Sequence, residues 1–157
     1  MRWLLLFLVG CNAFGAGQSS KAQEAMRECN AHARFGRMIV AAAAVKSGER
    51  ESFLERRQGW GSTVQIADSE LLGMKLDGND EATCWVRVSW YRVQDGELRQ
   101  TTLRQTWHEK KTSQDWELIA ERREAGEMGL LGEHVDIATP QPRPHAQFPA
   151  IRIGEEN

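Results

Sequence analysis

Two stretches in the middle of the chain alternate between apolar and polar residues, and this pattern constrains the fold more than any other feature. Apolar residues occupy every second position from Cys84 to Trp90, and the same alternation continues from Thr101 to Trp107. Between them lies Asp95-Gly96, the dipeptide that a type I′ turn prefers. A period of two is that of a β-strand with one buried face, so the pattern predicts a hairpin.

The alternation extends to both sides of this hairpin. A preceding strand is predicted because its apolar residues all fall on even-numbered positions. These residues are Val64, Ile66, Leu72, Met74 and Leu76. A following strand is predicted on Trp116, Leu118 and Ala120. Because only short turns at 77–80 and 111–114 separate the strands, we expect antiparallel neighbours in a four-stranded meander. Strands of about a dozen residues must twist strongly and bend the sheet.

Helical periodicity dominates the chain before residue 60. Helices are predicted over 21–35, with a capping box at Ser20 and an apolar stripe, and over 38–46 and 49–58, each followed by glycine. Helices that precede an antiparallel meander indicate an α+β fold with the helices packed on the sheet.

Three stretches carry a resemblance to a known superfamily: FLERRQGWGSTVQIADSELLG, ATCWVRVSWYRVQDGELRQTTLRQTWHEK and QDWELIAERRE. Over residues 21–125 the order of elements resembles the nuclear transport factor 2-like, or cystatin-like, superfamily. The resemblance implies a cone-like domain in which helices line a pocket formed by the bent sheet. That superfamily includes ketosteroid isomerases, dehydratases, polyketide cyclases and non-enzymatic binding modules, so the fold does not determine the function.

The N-terminal residues predict where the protein is located in the cell. The positively charged Met1-Arg2 precedes the segment LLLFLVGCN. The apolar run in this segment is too short to span a bilayer. Leu8-Val9-Gly10-Cys11 resembles the lipobox of bacterial lipoproteins, which implies a signal peptide over 1–10 and acyl chains, such as palmitate, on Cys11. Asn12 in the next position implies, by the sorting rule of such lipoproteins, an outer-membrane protein that faces the periplasm.

The remaining boundaries follow from composition. Residues 11–20 are small and polar and are predicted to link the lipid to a domain over 21–138. All four prolines lie in the last 18 residues, so 139–157 is predicted to be a mobile tail. A formal net charge of −2 provides no basic excess for a nucleic-acid partner.

Two carboxylates could belong to a pocket. Asp68 and Glu70 share the parity of the apolar positions on the first predicted strand, so strict alternation would point both into the interior. The alternative, which we prefer, is a bulge at Ala67-Asp68-Ser69 that resets the parity and leaves Asp68 outside.

Other pocket candidates come from the later strands. Gln105 lies on the apolar face between two apolar neighbours, and Arg122 shares the parity of Trp116 and Leu118. Either could bind a ligand beside Trp90 and Trp107, and Arg122 could neutralise an acid. Alternatively, Arg122 lies beyond the apolar part of its strand and reaches water.

The opposite face of the sheet combines aromatic residues with arginine. Its members are predicted to be Trp85, Arg87, Tyr91 and Arg104. This composition is typical of a surface that binds a second copy or another protein. Ordinary cross-strand pairing in a monomer is the alternative.

Cys29 and Cys84 both fall on predicted apolar faces, so they could form a disulfide or remain two buried free thiols. Cys29 and His32 lack a second pair of ligands at metal-binding spacing, and no phosphate loop or catalytic motif is recognisable. We therefore predict no metal and no cofactor. The expected function is a non-catalytic binding or structural domain of an envelope lipoprotein. The alternatives are a small isomerase- or cyclase-like enzyme for an apolar ligand, and a lipoprotein that only mediates interactions through its aromatic sheet face.

Overall fold

The computed structural model describes residues 14–135. Four predicted features lie outside the described residues: the signal peptide 1–10, the acylation site Cys11, the sorting residue Asn12 and the proline-rich tail 139–157. Three helices come first: α1 (Phe14–Arg34), α2 (Met38–Ala43) and α3 (Arg50–Glu55), with a 3-10 turn at Ser47–Glu49. Four strands follow: β1 (Val64–Asp77), β2 (Glu81–Arg92), β3 (Arg99–Glu109) and β4 (Trp116–Gly126).

The four strands form one open antiparallel sheet in the order β1-β2-β3-β4, and the helices pack against one of its faces. The predicted α+β class and the four-stranded meander are confirmed. The face toward the helices is called the inner face below, and the other face the outer face. None of the helices in residues 14–135 is long and apolar enough to cross a membrane.

Helix α1 begins earlier than the sequence predicts. It starts at Phe14 rather than at residue 21, so most of the predicted linker 11–20 is helical. The Ser20 hydroxyl donates to the Gly17 carbonyl at 3.0 Å inside the helix, instead of capping its N-terminus. Serine can satisfy a backbone group in either setting, which is why the capping-box pattern was misleading. The predicted apolar stripe is confirmed, since α1 buries Ala22, Met26, Cys29 and Ala33.

The other two helices end earlier than predicted, α2 at Ala43 and α3 at Glu55, and after α2 the chain contacts β4. The Lys46 amide donates to the Leu118 carbonyl at 2.9 Å, and the Leu118 amide donates to the Ala44 carbonyl at 2.9 Å. These bonds cover part of the open edge of β4, which would otherwise present unpaired backbone groups.

The β2–β3 connection is also longer than a two-residue turn. It spans residues 93–98, with Gly96 at a φ of 63°. A type I′ turn needs positive φ at both central residues, and the only described non-glycine residue with positive φ is Gln114. The predicted type I′ turn at Asp95-Gly96 is therefore wrong.

Strand β1 contains two bulges, at Ala67 and at Leu72. Ile66 lies opposite Trp90, Asp68 opposite Ser89, Leu71 opposite Val86 and Met74 opposite Cys84. The first bulge moves the inner-face parity from even to odd positions, and the second restores it. The preferred prediction, a bulge at Ala67-Asp68-Ser69 that leaves Asp68 outside, is thus confirmed. The prediction for Leu72 is wrong, because it occupies the second bulge and is 41% exposed.

Strand β4 has the same kind of irregularity at Ile119. Trp107 lies opposite Leu118, but Thr106 lies opposite Ala120, Gln105 opposite Glu121 and Arg104 opposite Arg122. Between this bulge and a second one at Glu124, odd positions face the helices. Ala120 therefore points outward, contrary to the prediction, and Glu121 points inward. Arg122 also points outward, in agreement with the alternative in which it reaches water.

Candidate functional site

A fully buried ion pair lies between the helices and β4. Arg57, just after α3, places its Nη2 atom 2.5 and 2.6 Å from the two carboxylate oxygens of Glu121. The Arg57 side chain is 1% exposed and that of Glu121 is not exposed at all. The carboxylate reaches this position because the Ile119 bulge turns it inward.

Two amide side chains extend the ion pair into a network. Gln105 donates to Glu121 Oε2 at 2.7 Å and to Asn30 Oδ1 at 2.9 Å. Asn30 in turn donates to Gln105 Oε1 at 3.0 Å and to the Met26 carbonyl at 2.7 Å. Asn30, Arg57, Gln105 and Glu121 are called the polar cluster below. It connects α1, the segment after α3, β3 and β4, so each layer of the domain contributes to it.

Aromatic rings surround the polar cluster. The Arg57 guanidinium lies 3.8 Å from the ring centroid of Phe53 and 4.9 Å from that of Trp60. Trp107 donates its indole N–H to Gln105 Oε1 at 3.3 Å. Farther along the sheet, the buried Trp90 donates to the Thr101 hydroxyl at 2.9 Å. Neither Trp90 nor Trp107 has exposed surface, so both fill the interior.

Both cysteines are buried free thiols next to this region. Cys84 Sγ donates to Gln105 Oε1 at 3.5 Å, and Cys29 Sγ donates to the Ala41 carbonyl at 3.6 Å. Burial raises the pKa of each thiol to about 12. The disulfide considered from the sequence is not formed in the structure.

Most hydrogen-bonding groups of the polar cluster are paired within the cluster, with one exception on Arg57. Both Glu121 oxygens accept hydrogen bonds from Arg57, and Oε2 also accepts one from Gln105. Three of the roughly four acceptor sites of this carboxylate are therefore occupied, and the side chain has no exposed surface. Arg57 Nε is buried and has no hydrogen-bond partner within residues 14–135.

The structure brings only some of the predicted pocket residues together. Gln105, Trp90 and Trp107 lie on the inner face. Asp68 has a side chain that is 62% exposed, and its Oδ1 lies 2.8 Å from Arg34 Nη1. Glu70 is 60% exposed and lies 3.5 Å from Arg87, and Arg122 is 66% exposed. The pocket assignments of Asp68, Glu70 and Arg122 are therefore wrong, because a bulge precedes each of them.

The predicted interface residues do share the outer face. Trp85 lies opposite Arg104, Arg87 opposite Glu70, and Tyr91 opposite Gln65. Strand β2 has no bulge in its pairing with β3, so the parity predicted from the sequence holds along its whole length.

Sequence analysis missed three members of the polar cluster, namely Asn30, Arg57 and Glu121. Asn30 and Arg57 are polar residues on helical segments, where exposure is the ordinary expectation. Glu121 has the parity of a solvent-facing residue unless a bulge intervenes. The one local sign of that bulge is Leu118-Ile119-Ala120, a run of three apolar residues that breaks the alternation.

A surface depression gives access to one member of the polar cluster. It has a volume of about 380 Å³ between α1 and the β1–β2 edge, and its lining includes Asn30 together with Met26, Leu71 and Val86. No group of three His, Cys, Asp or Glu side chains in the described part of the chain is arranged to hold a metal ion.

Comparison of the chain with protein-family models, with curated proteins and with solved structures found no match. The resemblance to the nuclear transport factor 2-like superfamily therefore stays a prediction, based on helices followed by an antiparallel meander. The function has to be inferred from the residues and the geometry of this chain.

Proposed function

We propose that this chain is a lipid-anchored lipoprotein of the bacterial envelope whose domain is a non-catalytic binding or structural module. The anchor rests on the sequence, where Leu8-Val9-Gly10-Cys11 follows a short apolar run. At least two acyl chains on Cys11 would hold the protein stably at a membrane, whereas one chain binds only marginally.

The second part of the proposal, a non-catalytic role of the domain, rests on the groups that surround its buried carboxylate. In an isomerase-like enzyme, a carboxylate in an apolar pocket has to be free to accept a substrate proton. Here the buried carboxylate is Glu121, and Arg57 and Gln105 already occupy its oxygens. The Glu121 side chain has no exposed surface, and the buried Trp107 and Phe53 pack against other members of the polar cluster. This arrangement supports a binding or structural role over proton transfer.

Acylation is tested with the full chain expressed in a Gram-negative host. The intact mass of the wild-type protein should include the acyl groups, and the protein should partition into detergent. Cys11→Ser should remove both properties. Asn12→Asp is the matched control: it should keep the acyl mass and, by the sorting rule, move the protein to the inner membrane. A wild-type protein without acyl mass that stays in the aqueous phase contradicts the anchor.

The filled interior is tested separately by native mass spectrometry of the detergent-extracted protein. The expected spectrum contains the acylated polypeptide without a stoichiometric small apolar ligand. If such a ligand co-purifies and is released when Trp107→Ala is introduced, the interior is a ligand pocket and the enzyme alternative regains support.

A further inference from the structure

Four residues form a straight row across the outer face of the sheet. Gly73 on β1 lies opposite Trp85 on β2, Trp85 opposite Arg104 on β3, and Arg104 opposite Arg122 on β4. Two arginines directly opposite each other repel, and like charges in this relation destabilise a sheet. The row therefore places two positive charges together without a benefit to the isolated domain.

Neither arginine is neutralised to a large extent within the described residues. Arg104 takes part in none of their close ion pairs. Its charge does act at longer range on Asp77, whose pKa is lowered mainly by hydrogen bonds from Lys75 and Thr83 and to a smaller extent by Arg104. Arg122 lies 3.5 Å from Glu124, and its side chain is 66% exposed. A single exposed pair at this distance offsets little charge.

A depression of about 370 Å³ lies beside the two arginines. Its lining consists of Arg104, Thr106, Ala120, Glu121 and Arg122. Thr106 and Ala120 lie opposite each other, and their small side chains leave room next to the longer arginines. The Glu121 side chain points to the interior and is fully buried, so its carboxylate does not face the depression.

The donors around this depression match an oxyanion. Two guanidinium groups can each present a planar pair of N–H donors to a carboxylate, and the Thr106 hydroxyl is a further donor. Trp85 supplies an aromatic surface next to Arg104. Tryptophan and arginine are the residues that most often dominate the binding energy of protein interfaces.

The distribution of acidic residues favours a discrete ligand over a membrane surface. Glu70 pairs with Arg87 near one edge of the sheet, and Glu124 pairs with Arg122 near the other. In the register both carboxylates lie on the same side of the basic row, with Glu70 opposite Arg87 at one sheet edge and Glu124 next to Ala125 at the other. A flat anionic bilayer that covered the row would also contact these carboxylates and be repelled by them. An extended peptide can place one acidic side chain between the arginines and avoid the flanking glutamates.

We propose that Arg104 and Arg122, with Trp85 beside them, bind an acidic peptide segment of a partner protein, with one carboxylate held between the two guanidinium groups. This inference goes beyond the proposed function and does not depend on acylation of Cys11.

The test uses the full-length protein in neutral detergent and a fluorescein-labelled hexaglutamate peptide at low salt, read by fluorescence anisotropy. Arg104→Gln and Arg122→Gln should each weaken binding by about tenfold or more, the loss expected when a charge-assisted hydrogen-bonding partner is removed. Arg37→Gln is the matched control: it removes the same charge from an exposed position between α1 and α2 and should change the affinity less than about twofold, because it lies outside the site. Unfolding midpoints of the variants check that the domain is intact.

Several outcomes overturn the proposal. Absence of peptide binding to the wild-type protein does so, as does an equal loss in all three variants, which indicates general attraction by net charge. Binding to vesicles with phosphatidylglycerol that requires Arg104 and Arg122, without peptide binding, assigns the site to a membrane instead. Peptide binding should be unchanged in Cys11→Ser, so failure of the anchor and failure of this site are distinguishable.

Discussion

Arg57 and Glu121 meet inside the domain, with the guanidinium Nη2 2.5 and 2.6 Å from the two carboxylate oxygens. The pair joins the segment after α3 to the second half of β4. The backbone bonds that fasten the helical layer to this edge strand involve Leu118, ahead of the Ile119 bulge. The ion pair therefore fixes the helices to the part of β4 that lies beyond the bulge.

Breaking this pair should destabilise the domain strongly. Glu121→Gln leaves the Arg57 charge buried without a counter-ion, and removal of one partner of a buried pair costs about 3–5 kcal/mol. Urea unfolding at pH 7 measures the loss. The double variant Arg57→Met, Glu121→Leu should lose less than Glu121→Gln, since it leaves no buried charge.

Arg122→Gln is the control for this prediction. It removes a neighbouring charge on the same strand, whose exposed pair with Glu124 should contribute about 1 kcal/mol or less. Equal losses in Glu121→Gln and Arg122→Gln would show that the buried pair has no special role in stability.

The two buried thiols should be unreactive in the folded protein. Burial raises the pKa of Cys29 and of Cys84 to about 12, so almost no thiolate exists at pH 8. In a Cys11→Ser background, iodoacetamide should label neither cysteine in the native state and both after denaturation without reductant. Mass spectrometry counts the labels. An unlabelled denatured protein that becomes reactive only after reduction would reveal a disulfide.

Gly126 should tolerate alanine much less well than Gly61. Both glycines have positive φ, 85° and 81°, so alanine meets a similar backbone strain at either position. A Cβ at Gly126 would also collide with the Gln100 carbonyl oxygen and lie 2.9 Å from Thr101 Cα, whereas nothing lies within 4 Å at Gly61. We expect Gly126→Ala to lose about 1–3 kcal/mol more than Gly61→Ala in urea unfolding. Equal losses would mean that β4 shifts freely against β3 at its end.

The β2–β3 connection should weaken in acid. Asp95 accepts hydrogen bonds from Arg99 Nη1 and Nη2 at 2.9 and 2.8 Å and from the Glu97 amide at 3.0 Å. The hydrogen bonds from Arg99, followed by the one from Glu97, lower the pKa of Asp95 to about 2. Because the folded-state pKa lies below the unfolded value of about 4, the stabilisation is complete above pH 4 and is lost as the pH falls toward 2.

A carboxyl titration by NMR checks this directly. Asp95→Asn should destabilise the protein at pH 7, and its difference from the wild-type protein should shrink as the pH approaches 2. Glu97→Gln serves as the control, because Glu97 is 74% exposed and should have a smaller effect. An Asp95 carboxyl that titrates near 4 would show that Arg99 does not hold it.

Local periodicity was sufficient to predict the class of the fold. The alternation on β2 and β3 predicted the hairpin pairing and the side of the sheet on which Trp85, Trp90, Trp107 and Gln105 lie. These predictions held because the β2–β3 pairing runs without a bulge, so the parity of each position determines its face. The helical stripe of α1 was predictable for the same reason, since its spacing matches the helix period.

Only the tertiary structure decided what occupies the interior beside the edge strands. A single extra residue at Ala67 or Ile119 reverses the side chains that follow until a second bulge in the same strand restores the parity. This moved Asp68, Glu70 and Arg122 outward and Glu121 inward. A bulge depends on how two strands accommodate twist and packing against the helices. A local pattern such as Ala67-Asp68-Ser69 can therefore indicate a bulge, but the long-range contacts decide whether and where it forms. The sequence by itself therefore determined the order of the helices and the meander. The location of the protein at the envelope stays a prediction. The ion pair of Arg57 with Glu121 and the pairing of Arg104 with Arg122 became apparent only when the strands were placed in register.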